Sequence, residues 1–166
     1  FELSETPIKV IAPTIDINAY VSIDLSKDNK GLENFDSSCS QSWTTYIDQY
    51  LQNRNKLIAF GGYLERRLIY TRSAHFETKN SLNSRNIHLG VDLWCNAETP
   101  VIAAFDGVVH SFQNNTNHGD YGPTLILKHC IGPVTFYTLY GHLSEASING
   151  LQKNTTVSKG QVIGFL

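Results

Sequence analysis

Residues 85–95 read RNIHLGVDLWC, and from Ile87 onward the texture of the chain turns to β. Apolar residues alternate with others: Ile87, Leu89, Val91 and Leu93 on one side, His88, Gly90 and Asp92 on the other. Successive side chains of a strand point to opposite faces, so the alternation predicts a strand whose apolar side is anchored in a core. His88 and Asp92 then share the opposite face, and Gly90 leaves the space between them open. A histidine nitrogen and a carboxylate oxygen held on one rigid element suit a zinc site. The same pattern also describes the solvated face of an edge strand, and this stretch alone does not separate the two readings.

The residues downstream extend the β reading. VIAAFDGVVHSF (101–112) is two short apolar runs about Asp106-Gly107, a hairpin signal. NNTNHGDYGP (114–123) is a loop, and TLILKHC (124–130) and VTFYTLY (134–140) are strands joined through Gly132-Pro133. VSKGQVIGFL (157–166) predicts a last hairpin turning at Lys159-Gly160. Short strands at such tight spacing imply an antiparallel β domain. FYTLYGHLS (136–144) runs an alternating strand into Gly141 and presents His142 just past its end, where a rigid scaffold would place a catalytic group.

Upstream the pattern is different. INAYVSIDLS (17–26) alternates as a strand, with Val21, Ile23 and Leu25 on one face, and SKDNKG (26–31) reads as a turn. Residues 40–53 predict the one clear helix: Trp43, Tyr46, Ile47, Tyr50 and Leu51 form a single apolar stripe, with Ser40 or Ser42 as its cap. Gly61-Gly62 marks a turn, RLIYTR (67–72) fits a strand, and the polar stretch 77–86 reads as a loop at the main boundary. The expected organisation is an α+β, β-rich chain. Residues 1–84 are an N-terminal accessory subdomain holding one amphipathic helix, and residues 85–166 an antiparallel β domain.

Bulk properties narrow the class. The chain has 166 residues, 41% of them hydrophobic and 17% charged, enough for one core with an appended subdomain and too apolar for disorder. A net charge of -2 gives no footprint for nucleic acid. No apolar run approaches the roughly 18 residues of a membrane span. Cys39, Cys95 and Cys130 are odd in number and lack CxxC spacing, which reads as thiols packed into the fold. A pair among them stays open, and with it the redox compartment.

Five ordered blocks resemble the lysostaphin-type, LytM-like zinc metallopeptidases: HLGVD (88–92), VIAAFDGVV (101–109), GDYGPTLILKH (119–129), FYTLYGHLS (136–144) and VSKGQVIG (157–164). The resemblance covers about residues 85–166. It implies that His88 and Asp92 bind Zn2+, with the second histidine of a late HxH motif as third ligand and water in the open position. It further implies that His142 acts as general base on that water or stabilises the tetrahedral intermediate. The implied substrate is the peptide part of bacterial peptidoglycan, cut by an endopeptidase, and the implied compartment is the cell envelope. Oligomeric state stays open.

The HxH motif is absent. The family places it after the KGQxIG block, and this chain stops at Leu166, inside an apolar run; it also begins at Phe1 and contains no methionine. The expectation is an incompletely represented chain that, as written, hydrolyses poorly. His75, His110, His118 and His129 are the other histidines, and no spacing selects one as a replacement ligand. The competing reading is a degenerate LytM-like domain that binds peptidoglycan or a protein partner, with Trp43 and the Arg66-Arg67 pair as surface candidates, although core packing and solvated charge explain those residues as well. A biotinyl- or lipoyl-like carrier shares the Lys159-Gly160 turn but needs a flanked lysine that the sequence lacks.

Overall fold

This computed structural model describes residues 8–32, 35–36, 39–67, 87–117 and 119–166. They form two compact units. One joins the described residues up to Ile15 to Asn96–Leu166; the other is Asp16–Cys95. The predicted strand at 67–72 and the predicted loop at 77–86 fall, apart from Arg67, outside the described residues.

In the unit Asp16–Cys95, the strand β1 (Tyr20–Ser22) runs parallel to β2 (Ile58–Gly61), and β5 (Asp92–Trp94) pairs antiparallel with β2 on its other side. A second small ladder pairs β3 (Glu65–Arg66) with β4 (Ile87–His88). The helix α1 (Ser40–Gln52) forms where the apolar stripe predicted it. Ile47 and Leu51 are buried against Ile23, Leu25 and Ala59, with Trp43, Tyr46 and Tyr50 half-buried around them. Its cap is not a serine: Cys39 holds the N-cap position without a side-chain hydrogen bond to the helix. Trp43 stacks on Trp94 at 5.7 Å between ring centroids, which ties the helix to β5.

The strand expected through residues 87–93 is broken and turned over. Leu89, Gly90 and Val91 leave the ladder, so β4 and β5 pair with different partners. The side read as core is the exposed one: Ile87, Leu89 and Val91 are 46%, 70% and 61% accessible. Asp92 and Trp94 share a face of β5, and the large indole takes that face into the aromatic cluster on α1.

In the other unit, β7 (Gly107–Asn115), β8 (Gly122–Ile131) and β9 (Val134–Tyr140) make an antiparallel sheet, with β10 (Thr156–Val157) on the outer edge of β7. Strands β8 and β9 close as the predicted hairpin, with Ile131 opposite Val134 across the Gly132-Pro133 turn. Along β8 the buried side chains alternate: Leu125, Leu127 and His129 point inward. The two other predicted hairpins do not form. Strand β6 (Pro100–Ile102) pairs with β11 (Val162–Phe165), while β7 pairs with β10, so the Asp106-Gly107 and Lys159-Gly160 turns carry the chain between sheets. The short helix α2 (Glu145–Ile148) follows β9.

Candidate metal centre

His88 ends β4, and the turn after β2 reaches its ring. The Gly62 carbonyl accepts the Glu65 amide at 3.1 Å and also faces His88 Nδ1 at 2.9 Å. A carbonyl only accepts, so Nδ1 carries a proton, which leaves Nε2 as the ring nitrogen that could bind a metal. Asp92 Oδ1 lies 3.5 Å from that nitrogen. Two ligands of one tetrahedral zinc, each about 2.0–2.2 Å from the metal, stand about 3.4 Å apart. The separation therefore fits one shared cation. The carbonyl behind Nδ1 is the kind of support that orients a metal-bound histidine.

Two glycines keep this arrangement open. A Cβ on Gly90 would sit 3.2 Å from His88 Nε2. A Cβ on Gly62 would sit 2.7 Å from His88 Nδ1 and 3.1 Å from Asp92 Oδ2, and Gly62 also has φ +92, a conformation other residues avoid.

Sequence reasoning missed the charged support. Arg67, read as half of a solvated pair, is only 10% exposed and lies between two carboxylates: Nε is 2.6 Å from Glu65 Oε2, and Nη1 is 2.6 Å from Asp92 Oδ2. Glu65 Oε1 in turn accepts the Leu25 amide at 2.8 Å. Burial pulls the Arg67 guanidinium down, but the attraction of Asp92 and Glu65 outweighs it and leaves its pKa above the ordinary value. The available signal was Glu65-x-Arg67, two charges of opposite sign two residues apart, as neighbours on one strand face are spaced.

Among the described residues, no third His, Cys, Asp or Glu joins His88 and Asp92 in a metal-ligating group. His142 belongs to the other unit, just past β9, as its sequence position predicted. It is exposed, and its φ of +57 is unusual for a side-chain-bearing residue. Its amide donates to Tyr121 O at 2.7 Å, the next amide donates to Pro123 O, and the Tyr121 ring stands 6.2 Å from the imidazole. His129 is a fully buried structural histidine. Nδ1 donates to Asp106 O at 2.8 Å and Nε2 accepts from Thr138 Oγ1 at 2.7 Å. His110 is exposed on β7 against Tyr137, and His75 and His118 lie outside the described residues.

Residues 86–166 match the model of peptidase family M23, the family to which the lysostaphin-type resemblance pointed. Residues 86–166 are a peptidase M23 domain of the LytM-like family. A solved structure described as Helicobacter pylori Csd3 from the orthorhombic crystal is 28% identical, with a TM-score of 0.37. The match covers 58% of this chain and 26% of that one, so the chain spans about a quarter of its length. No curated protein matches the chain. No helix of the described residues is long and apolar enough to cross a membrane.

Proposed function

We propose that this chain is part of a zinc-dependent endopeptidase that cuts peptide bonds in bacterial peptidoglycan. The observation that carries the reading is the 3.5 Å separation of His88 Nε2 and Asp92 Oδ1, a nitrogen and a carboxylate oxygen spaced as two ligands of one zinc would be. When bound there, zinc supplies Lewis-acid polarisation and a water acidic enough to attack at neutral pH. The chain's own residues set the stage. The Gly62 carbonyl fixes the His88 tautomer, Asp92 supplies negative charge, and Gly90 keeps the approach to Nε2 free of a side chain. The family resemblance gives His142, which lies in the other unit, the role of general base or oxyanion stabiliser. The family match to 86–166 supports the peptidase class, and peptidoglycan as substrate rests on the family's usual role.

One observation favours a second reading, a LytM-like domain that binds peptidoglycan without cutting it: no third ligand joins the pair among the described residues. Dye release from labelled peptidoglycan, measured on a form of the protein that carries the HxH motif, separates the two. Release that a chelator abolishes, and that His88→Ala and His142→Ala each reduce by about a hundredfold or more, is the expected result. Unchanged release in either variant removes that residue's role, and cosedimentation with peptidoglycan without any release supports the second reading.

A further inference from the structure

The charged triad Glu65, Arg67 and Asp92 has no counterpart in the two-ligand motif. Burying a guanidinium to 10% exposure is unfavourable unless its charge and its donors are met. Here the charge is met by two carboxylates, but the donors are not all used: Arg67 Nη2 is buried without a hydrogen-bond partner, and Asp92 Oδ2 meets Arg67 Nη1 as an ion pair at 2.6 Å. Such an arrangement stores strain or serves a purpose beyond stability. The geometry shows the purpose. Arg67 holds Oδ2 of Asp92 at 2.6 Å, and the remaining oxygen, Oδ1, is the one that faces His88 Nε2. Glu65 fixes the Arg67 fork at Nε and is itself held by the Leu25 amide. A planar fork can set the rotation of a carboxylate in a way that the point charge of a lysine cannot.

We propose that Arg67, backed by Glu65, is a positioning residue for the metal ligand Asp92. Segments upstream of residue 86 thereby support the metal site. This rests on the reading of His88 and Asp92 as zinc ligands. It makes a claim of definite sign, because the positive charge of Arg67 repels the cation. If charge were its only effect, removing it would tighten zinc binding; if it positions Asp92, removing it loosens binding.

The test is zinc affinity, measured on the full chain by competition with a chromophoric chelator, together with the thermal midpoint of the metal-free protein. Arg67→Met is expected to weaken zinc binding about tenfold to a hundredfold, the range for lost outer support of a metal ligand. Arg67→Lys, which keeps the charge, and Glu65→Gln, which keeps the acceptor for Leu25, are expected to weaken it in the same direction. These two remain informative if Arg67→Met fails to fold. Zinc affinity that is unchanged or tighter in the folded variants, with only the thermal midpoint lowered, overturns the proposal. His88→Ala serves as reference. Wild-type chain that binds no zinc, or His88→Ala that binds as wild type does, overturns the reading of the site and this inference with it. Binding lost in His88→Ala but untouched in Arg67→Lys and Glu65→Gln overturns the inference alone.

Discussion

Cys39 shows how a backbone position changes the chemistry of one side chain. It stands at the N-cap of α1, and the polar groups of Ser42, then of Gln41, favour its thiolate over the neutral thiol. Its pKa therefore lies below the ordinary thiol value, as expected at a helix N-terminus. None of the three cysteines forms a disulfide, so the thiol of Cys39 can be followed directly. Alkylation with iodoacetamide, followed at the Cys39 peptide across pH, should reach half its maximal rate at a lower pH than alkylation of a free cysteine derivative in the same buffer. Coincident profiles would mean that the cap does not stabilise the anion. Neither the cap nor its effect was legible in the sequence, which offered two serines as better cap formers. His88 and Asp92 come within 3.5 Å of each other although the single strand that predicted their shared face is broken between them. Arg67 was not legible either, because a charge in a sequence carries no sign of the partner that will bury it.

At the scale of elements, local periodicity and distant pairing part company. The stripe of α1 and the alternation of β8 follow from neighbours in sequence, and both elements form as the pattern predicts. The pairing of β6 with β11 and of β7 with β10 depends on segments about sixty and fifty residues away. No turn signal encodes it, so Asp106-Gly107 was misread as a hairpin. The broken strand at residues 87–93 was misread for a related reason. Which face turns inward was decided by Trp94 and by charges that neutralise one another, and the count of aliphatic residues did not settle it. Alternation on β8 makes a quantitative prediction. Leu127 is fully buried, whereas Leu139 on the neighbouring β9 is 50% exposed. Leu127→Ala should cost about 2–5 kcal/mol of stability through lost burial and a residual cavity, and Leu139→Ala about 1 kcal/mol or less. Urea unfolding of both variants measures the difference; equal costs would place the core on the wrong face of the sheet.

For the whole molecule, the family boundary and the structural boundary do not coincide. The segment that matches peptidase family M23 begins at residue 86, yet β4 and β5, which carry His88 and Asp92, belong to the unit Asp16–Cys95. Their ladder partners are β3 and β2, both upstream of the segment. Residues 16–67 are therefore more than an appendage to the candidate site: they supply the strand beside Asp92, the carbonyl behind His88 and the guanidinium on Oδ2. A fragment of residues 86–166 would leave β4 and β5 with unpaired edges and Trp94 without its partner Trp43. An isolated strand of this length has no stability of its own in water. The amides of β5 in that fragment should exchange with solvent at nearly unprotected rates, while those of β8, whose partners β7 and β9 are retained, stay protected. Zinc affinity should fall by at least the factor seen for Arg67→Met. Hydrogen exchange read by mass spectrometry on the full chain and the fragment makes the comparison. Equal protection of β5 in both would show that the family segment organises its own metal ligands and that the upstream strands are dispensable for the site.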